Sequence, residues 1–472
     1  MGFRGNILLA LVIFNALPIY ALVRSVREWV PDRWQRLVLC GSLAAVVAVN
    51  LPVSIFWFRA AYDHLYAIPA GLLRGGFIPT VAWQSSAVLF TLLFGPIYLL
   101  WAGWLAVAGV VRSLGKKLSP PGDHDKLHIP PSPIAELEPP STRRISRRAL
   151  LTGGPGLVVP AMAVALTGKM FLDDDVDISP EITVPIANLP RSLDGLTIAQ
   201  LSDLHVGPYI RRKEIEYWVS LANGLKPDLV VLTGDMIDRN MDSLPDLLAG
   251  LQGLRPSLRA GGSGANGGPR LGVVAVLGNH DLSSDPASMR GELQGGEHIA
   301  QAINGLGIRT LRNEVIHLGR NGFAGAGDPG GEALAIMGMD WVRRRGGGNF
   351  FAYHSEDTRK RLAELSALVE PGTPSILLAH HPDTFAEVRE MAARFPVGLT
   401  LSGHTHGGGQ VVFFEWGGRS YGLTSVQFQY VSGLFQQDGC SLYVNRGLGY
   451  FGVPIRINCP PEISRFKLVR QV

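Results

Sequence analysis

The chain has 472 residues, 46% hydrophobic against 17% charged, with a formal net charge of +4; its mean hydropathy is slightly positive, which argues against a chain that is soluble throughout. The length accommodates more than one domain, and the positive excess lies mostly in the first third, so nucleic-acid binding is not expected. Only three cysteines occur, none in a zinc-like spacing, which leaves His, Asp and Asn as the donors for any metal.

Four stretches without a charged residue come first, at residues 7–23, 37–58, 87–111 and 149–168. Their lengths bracket the ~20 residues that a helix needs to cross the hydrocarbon core. Four spans are therefore expected, with three as the fallback. The first span carries Asn15 and Pro18, and the fourth is rich in Gly and Pro, so that it also reads as a signal-type anchor.

Arginine and lysine orient them. The first connection holds Arg24, Arg27, Arg33 and Arg36, the second only Arg59 and Arg74, and the third Arg112, Lys116, Lys117, Lys126, Arg143, Arg144, Arg147 and Arg148. With the basic connections in the cytoplasm, everything after residue 170 lies outside a multi-pass inner-membrane protein. The domains expected are a transmembrane region of three spans (1–114), a cytoplasmic linker (115–148), a fourth span or signal-anchor (149–170) and an α/β domain (180–472). Within ISRRALLTGG, residues 145–154, the paired Arg147 and Arg148 read either as a twin-arginine export signal or as a positive-inside anchor. Either reading exports the domain that follows. His124 and His128 fall in the Pro-rich linker and are read as solvated.

From residue 180 the pattern becomes α/β. LTIAQLSD (196–203), DLVVLTGD (228–235), LGVVAVLGNHD (271–281), SILLAHH (375–381) and VGLTLSGH (397–404) read as strands, and EIEYWVSLANGL (214–225) as a helix. Each apolar strand ends in Asp, His or Asn, and open sheets place their sites beyond the carboxyl ends of strands. His404 and His406 fall two apart just past a strand, where extended alternation points both to one face. Cys440 and Cys459 lie in this domain and either pair or stay reduced and buried.

Taken in order, SDLH (202–205), GDMIDR (234–239), GNHD (278–281), AHHPD (379–383) and GHTHGG (403–408) form a specific series, although no single cluster is specific. Together they resemble the calcineurin-like metallophosphoesterases, within them the membrane-associated bacterial branch of exported phosphodiesterases. The tail NRGLGYFGVPIRINCPPEI (445–463) is similar to that branch's C-terminal signature. The resemblance covers residues 180–472 and implies a four-layer α/β/β/α sandwich, preceded here by the helical membrane region.

It also implies two divalent metals, Mn, Fe or Zn. One is expected on Asp203, His205, Asp235 and His406, the other on Asp235, Asn279, His380 and His404. Two cations ~3.5–4 Å apart repel strongly unless an anion lies between them, which suits Asp235 as the bridge. With two carboxylates against four positive charges the centre stays positive and favours a phosphoester and a metal-bound hydroxide. His280 is implied at the leaving-group oxygen, as general acid or, alternatively, as a hydrogen-bonding support. Asp281 is expected to orient His280, and Asp238 and Arg239 to begin a helix. His381 is read as touching substrate or as a cap or packing residue, and Trp341, after GMD (338–340), as lining the cleft or, more simply, as a surface aromatic. The family reads GHTHGGQ where this chain has GHTHGGGQ, which leaves the placement of Gln410 open.

The function expected is a membrane-anchored, two-metal phosphoester hydrolase, most simply of phosphodiesters. Its substrate is expected near the bilayer, as a phospholipid or a lipid-linked molecule. The alternative is a metal-binding sensory protein with little turnover. A transporter is disfavoured, because the spans hold no ionisable residue of the kind that lines an ion pathway.

Overall fold

The computed structural model describes residues 3–58, 65, 68–118, 157–238, 240–254, 272–284, 296–319, 322–324, 333–342, 353–392, 397–417 and 419–471. The paired Arg147 and Arg148, His124, His128 and Arg239 lie outside them. The chain divides into two compact units, residues 1–60 with 76–168 and residues 61–75 with 169–472.

The first unit is helical. Helices run over Phe3–Trp29, Asp32–Phe58, Ala70–Leu118 and Val158–Leu172, the last two reaching into the second unit. Within Ala70–Leu118, the stretch Ala70–Leu100 is long and apolar enough to cross a membrane by length and composition. The polar Asn15 does not break the first helix, because its amide finds partners inside the unit. Its Nδ2 donates to Gln84 Oε1 at 2.9 Å and its Oδ1 accepts from Trp83 Nε1 at 2.8 Å. A half-buried amide paired in this way escapes the cost of a lost hydrogen bond.

The second unit stacks two sheets face to face. In the first, Thr197–Leu201, Leu229–Thr233, Val273–Val276 and Ile308–Thr310 run parallel. The C-terminal strand Glu462–Gln471 closes its other side, antiparallel to Thr197–Leu201 and parallel to Ile182–Ala187. The second sheet has Leu334–Met339, Ser375–Ala379, Leu399–Ser402 and Cys440–Val444 in parallel, with antiparallel strands at both edges.

Val, Ile and Leu side chains of both sheets meet in one core, among them Ile198, Val231, Val274, Ile336, Leu378 and Leu401. The other face of the second sheet packs under the helices Ser355–Ser366 and Thr384–Met391, through Leu362, Leu365, Phe385 and Val388. Strands covered on both faces read as unbroken apolar runs, which is why LVVLT and SILLA show no alternation. The expected strands form at the expected places, and the α/β/β/α layering follows. Cys440 and Cys459 are both buried and unpaired.

Candidate metal centre

All the strand-end clusters converge at one rim of the sandwich. The loops after Thr197–Leu201 and Leu229–Thr233 interlock through the backbone: Asp203 N donates to Gly234 O, His205 N to Asp235 O and Val206 N to Met236 O, each at 3.0 Å. His404 N, from the other sheet, donates to both carboxylate oxygens of Asp203 at 3.0 and 3.1 Å. Backbone hydrogen bonds therefore fix the side chains before any ligand arrives.

This has a conformational cost. Asp203, His205, Asp235, His404 and His406 all adopt positive φ, between 44° and 72°. Non-glycine residues avoid that region, and such strain collects at functional sites. It also corrects the strand-end reading of His404 and His406. The strand ends at Ser402, and two left-handed residues, rather than extended alternation, aim the imidazoles. Close approach explains two glycines as well: a Cβ at Gly278 would collide with the Asp235 carboxylate, and one at Gly403 with Ser202 and Asp203.

The side chains form overlapping groups. Asp203, His205 and His406 bring a donor atom each within 4.8 Å of one another, as do Asp235, His380 and His404, and His205, Asp238 and His280. His404 and His406 thus fall in different groups. His205 Nε2 and His406 Nε2 are 3.0 Å apart, with Asp203 Oδ1 at 3.5 Å from His406 and Asp235 Oδ2 at 3.6 Å from His205. His380 donates from Nδ1 to Thr233 O at 2.6 Å, which turns Nε2 toward Asp235 Oδ2 at 3.0 Å. Asn279 is buried on the same cleft with neither amide atom hydrogen-bonded, and His406 Nδ1 is likewise without a partner.

The electrostatics fit a cation. Burial holds His404 and His406 well below the usual imidazole range, so both are neutral with lone pairs to offer. Burial opposes charge on His380 too, but Asp235 and Asp203 outweigh it and push it up to about 9. A site that draws a proton to His380 Nε2 draws a metal there as well. Asp203 and Asp235 are both fully buried; burial and Asp235 raise Asp203, while His380, His280 and His205 overcome burial and hold Asp235 low. Orphaned imidazole and amide donors beside two buried carboxylates are a set that divalent metals satisfy. The residues present fit the group.

The residues around these groups redistribute several expected roles. Asp281 does not orient His280; its carboxylate accepts from the backbone N–H groups of Met236, Ile237 and Gly278 at 2.8–3.1 Å and clamps the two loops together. Asp238, expected to start a helix, takes that place instead. Its Oδ1 lies 3.4 Å from His280 Nδ1 and 3.5 Å from His205 Nδ1, and its carbonyl contacts His280 Nδ1 directly. A carboxylate behind a histidine sets which nitrogen faces the metal. The three-residue separation of the two Asp in GDMIDR was the available signal.

Trp341 is buried, not a surface aromatic, and lies 4.7 Å from His404, 5.1 Å from His381 and 5.9 Å from His380 between ring centres. His381 lines the cleft, and burial pushes it down to about 3. The extra glycine does not displace Gln410. Its amide is buried and grips the C-terminal loop, donating to Phe451 O and Val453 O and accepting from Phe451 N at 2.7–3.2 Å. Phe451 in turn packs against His205, His280 and His406. The cleft in front of these groups holds about 460 Å³.

Residues 196–408 match the family model of the calcineurin-like phosphoesterases. An uncharacterised metallophosphoesterase of Aquifex aeolicus is 30% identical over 290 residues, 60% of this chain and 87% of that protein. The chain belongs to the calcineurin-like metallophosphoesterases. Another relative within that family is the uncharacterised metallophosphoesterase YkuE of Bacillus subtilis, 29% identical over 69% of this chain and 98% of its own. A Bos taurus "transmembrane protein with metallophosphoesterase domain" is 30% identical over 66% of this chain, and this chain spans about three fifths, 62%, of that protein's length.

Proposed function

We propose that this chain is a membrane-anchored, metal-dependent phosphoester hydrolase, acting on phosphodiesters, with its cleft outside the cytoplasmic membrane. Asp203, His205, Asp235 and His406 would hold one divalent ion, and Asp235, Asn279, His380 and His404 a second. The observation that carries the reading is the convergence of four imidazoles and the unpartnered Asn279 amide on two buried carboxylates. The two ions, Mn, Fe or Zn, would polarise the phosphoryl oxygens and acidify water.

The chain's own part is positional. Asp238 and its carbonyl hold His280 through Nδ1, so a proton can leave that ring only through Nε2. His280 N donates to Asp235 Oδ1 at 2.8 Å, which fixes the ring relative to the ligand carboxylate. In hydrolysis a water gives up a proton to solvent as its oxygen bonds to phosphorus, the P–O bond to the leaving group breaks, and the leaving oxygen takes a proton from His280, which regains one from solvent. Phe451 and His381 wall the cleft on either side.

Anchoring rests on the apolar stretch Ala70–Leu100; the multi-pass arrangement, with the basic connections inside, rests on the charge pattern of the sequence. The domain boundaries proposed are those of the sequence, with the metal centre wholly in residues 180–472. The test is release of p-nitrophenol from mono- and diesters by the full chain in detergent, loaded with Mn²⁺, Zn²⁺ or Fe²⁺, beside His404→Ala. Metal-dependent turnover that the substitution abolishes supports the hydrolase. Bound metal without turnover of either ester moves the weight to a sensory, metal-binding role.

A further inference from the structure

Beside the cleft Val412–Trp416 pairs antiparallel with Arg419–Gly422 in a two-stranded ribbon that is a sheet of its own. Successive strand residues point to opposite faces, yet Phe413, Phe414 and Trp416 are exposed by 60%, 57% and 75%. The register shifts at Phe413, so the ribbon presents these three exposed aromatic side chains close together, while Val412 and Ser420 at its base are buried. An isolated hairpin is marginal in water, and a half-buried one normally turns a polar face outward. Leu423 and Val426, the latter 95% exposed, continue the patch, and between and beside them Thr424 and Phe428 line the cleft itself. The apolar surface thus runs up to the mouth of the metal centre.

The same rim is tied to the ends of the apolar helices. Asn458 Nδ2 donates to Val412 O at 3.0 Å, at the base of the ribbon, and Asn458 N donates to Asp173 Oδ2 at 2.6 Å. Asp173 directly follows the helix Val158–Leu172. Its neighbour Asp174 bonds Tyr450 and pairs with Arg74, which lies in the opening turns of Ala70–Leu118 and 5.4 Å above the Tyr450 ring. Within the second unit, contacts thus run from the base of the ribbon to Arg74, Asp173 and Asp174.

We propose that the ribbon Val412–Gly422, with Leu423 and Val426, docks into the headgroup layer of the bilayer that anchors the chain, and seats the cleft mouth on lipid phosphoesters as its substrate class. Trp and Phe favour that boundary, where an apolar body meets a wet rim, and elements of this kind lie ~5–10 Å deep. Arg419 does not oppose it, since its long stem lets the charge reach back to water, and Glu415 accepts from Ser420 Oγ at 3.4 Å. The docking rests on the exposed surface, its ties to the helix ends and the membrane anchoring proposed above; the substrate class also rests on the hydrolase reading.

The experiment uses the full chain, Cys40→Ala, in phosphatidylcholine–phosphatidylglycerol nanodiscs. A bimane label is placed at Trp416→Cys or, as control, at Leu368→Cys. Leu368 is exposed and precedes the Ser375–Ala379 strand, at the end of the sheet away from the cleft. Doxyl-labelled lipid is expected to quench position 416 and spare 368. No quenching at 416, or equal quenching at both, overturns the docking, and shielding of 416 from lipid and water together assigns the ribbon to a second copy and overturns it too.

In the same discs the Phe413→Ser/Phe414→Ser/Trp416→Ser protein is expected to lose about tenfold or more in turnover of a diacylglycerol p-nitrophenyl phosphate, as local headgroup concentration falls. Turnover of soluble bis(p-nitrophenyl) phosphate is expected to hold. Equal losses on both esters, or none on either, overturn the lipid assignment. A native chain that cleaves neither ester with any of the three metals overturns the hydrolase, while the quenching result decides the docking independently.

Discussion

Around Asp203, His205 and His406 the cleft is made of polar side chains on backbone held in left-handed conformations. Around His380, His381 and His404 it is backed by rings: Trp341 lies against all three, Tyr353 against His381, and Phe428 against His381 and His404. Hydrogen bonds and left-handed backbone act at both ends, through His404 and His380 Nδ1 at the second, but the first has one ring, Phe451, against its imidazoles where the second has three. A side chain held by hydrogen bonds answers to the loss of single atoms. One held by packing answers to volume and shape, and tolerates similar replacements.

Asp235 joins the two ends, so its replacement is the severest test. Asp235→Asn keeps the shape and removes the bridging charge, and both ions are expected to leave together with all turnover. Metal analysis of the purified protein beside an ester assay checks it; full metal content with normal rates would break the ligand assignment. Chelation of the native chain should reproduce the loss, and added metal should reverse it there but not in the variant.

His280→Gln comes next. The metal content should stay, since no ligand is touched, and kcat should fall by ~10²–10⁴ as for a lost general acid. The loss should be smaller for p-nitrophenol than for an alkoxide leaving group, which needs the proton more. An equal loss for both leaving groups would make His280 a support for the site and not an acid.

Asp238→Asn probes the end at Asp203, His205 and His406 from one step back. Carboxylates behind metal-binding histidines cost ~10–100-fold when removed. The substitution should weaken metal at His205 and lower kcat through His280 together. Loss of only one of the two would show that Asp238 serves a single histidine.

What the sequence disclosed follows the same division. Asp203, Asp235, Asn279, His280, His380, His404 and His406 were legible because each follows an apolar strand within a few residues, and strand ends gather by topology. Asp238 was visible but misassigned, because a carboxylate three residues past a strand reads equally well as a helix start. Asp281 was given Asp238's task, since adjacency in sequence suggested contact with His280 where the fold turns the carboxylate onto backbone N–H groups.

Trp341 and the ribbon aromatics stayed hidden for a different reason. Whether an aromatic packs on a histidine or stands in solvent depends on partners some forty or sixty residues away, which no periodicity encodes. In the N-terminal unit the helices overlap the apolar stretches, but the third begins at Ala70, ahead of Arg74, where the expected span begins at 87. Arg74 at its start interrupts apolar composition without interrupting the helix.

The smallest effect should come from the packed end. Trp341→Phe leaves an aromatic ring against His404 and His380 but shortens it, so the wall remains and its contact with the imidazoles loosens. If packing positions these ligands, affinity for one metal should fall by about threefold to tenfold, at or under the lower end of what outer-shell losses cost. The other metal, near Asp203, His205 and His406, should bind as before. A metal titration that is single-stepped in the native protein should then separate into two steps. Equal weakening of both ions would mean that Asp235 transmits the disturbance, and that the two ends of the cleft act as one rigid body.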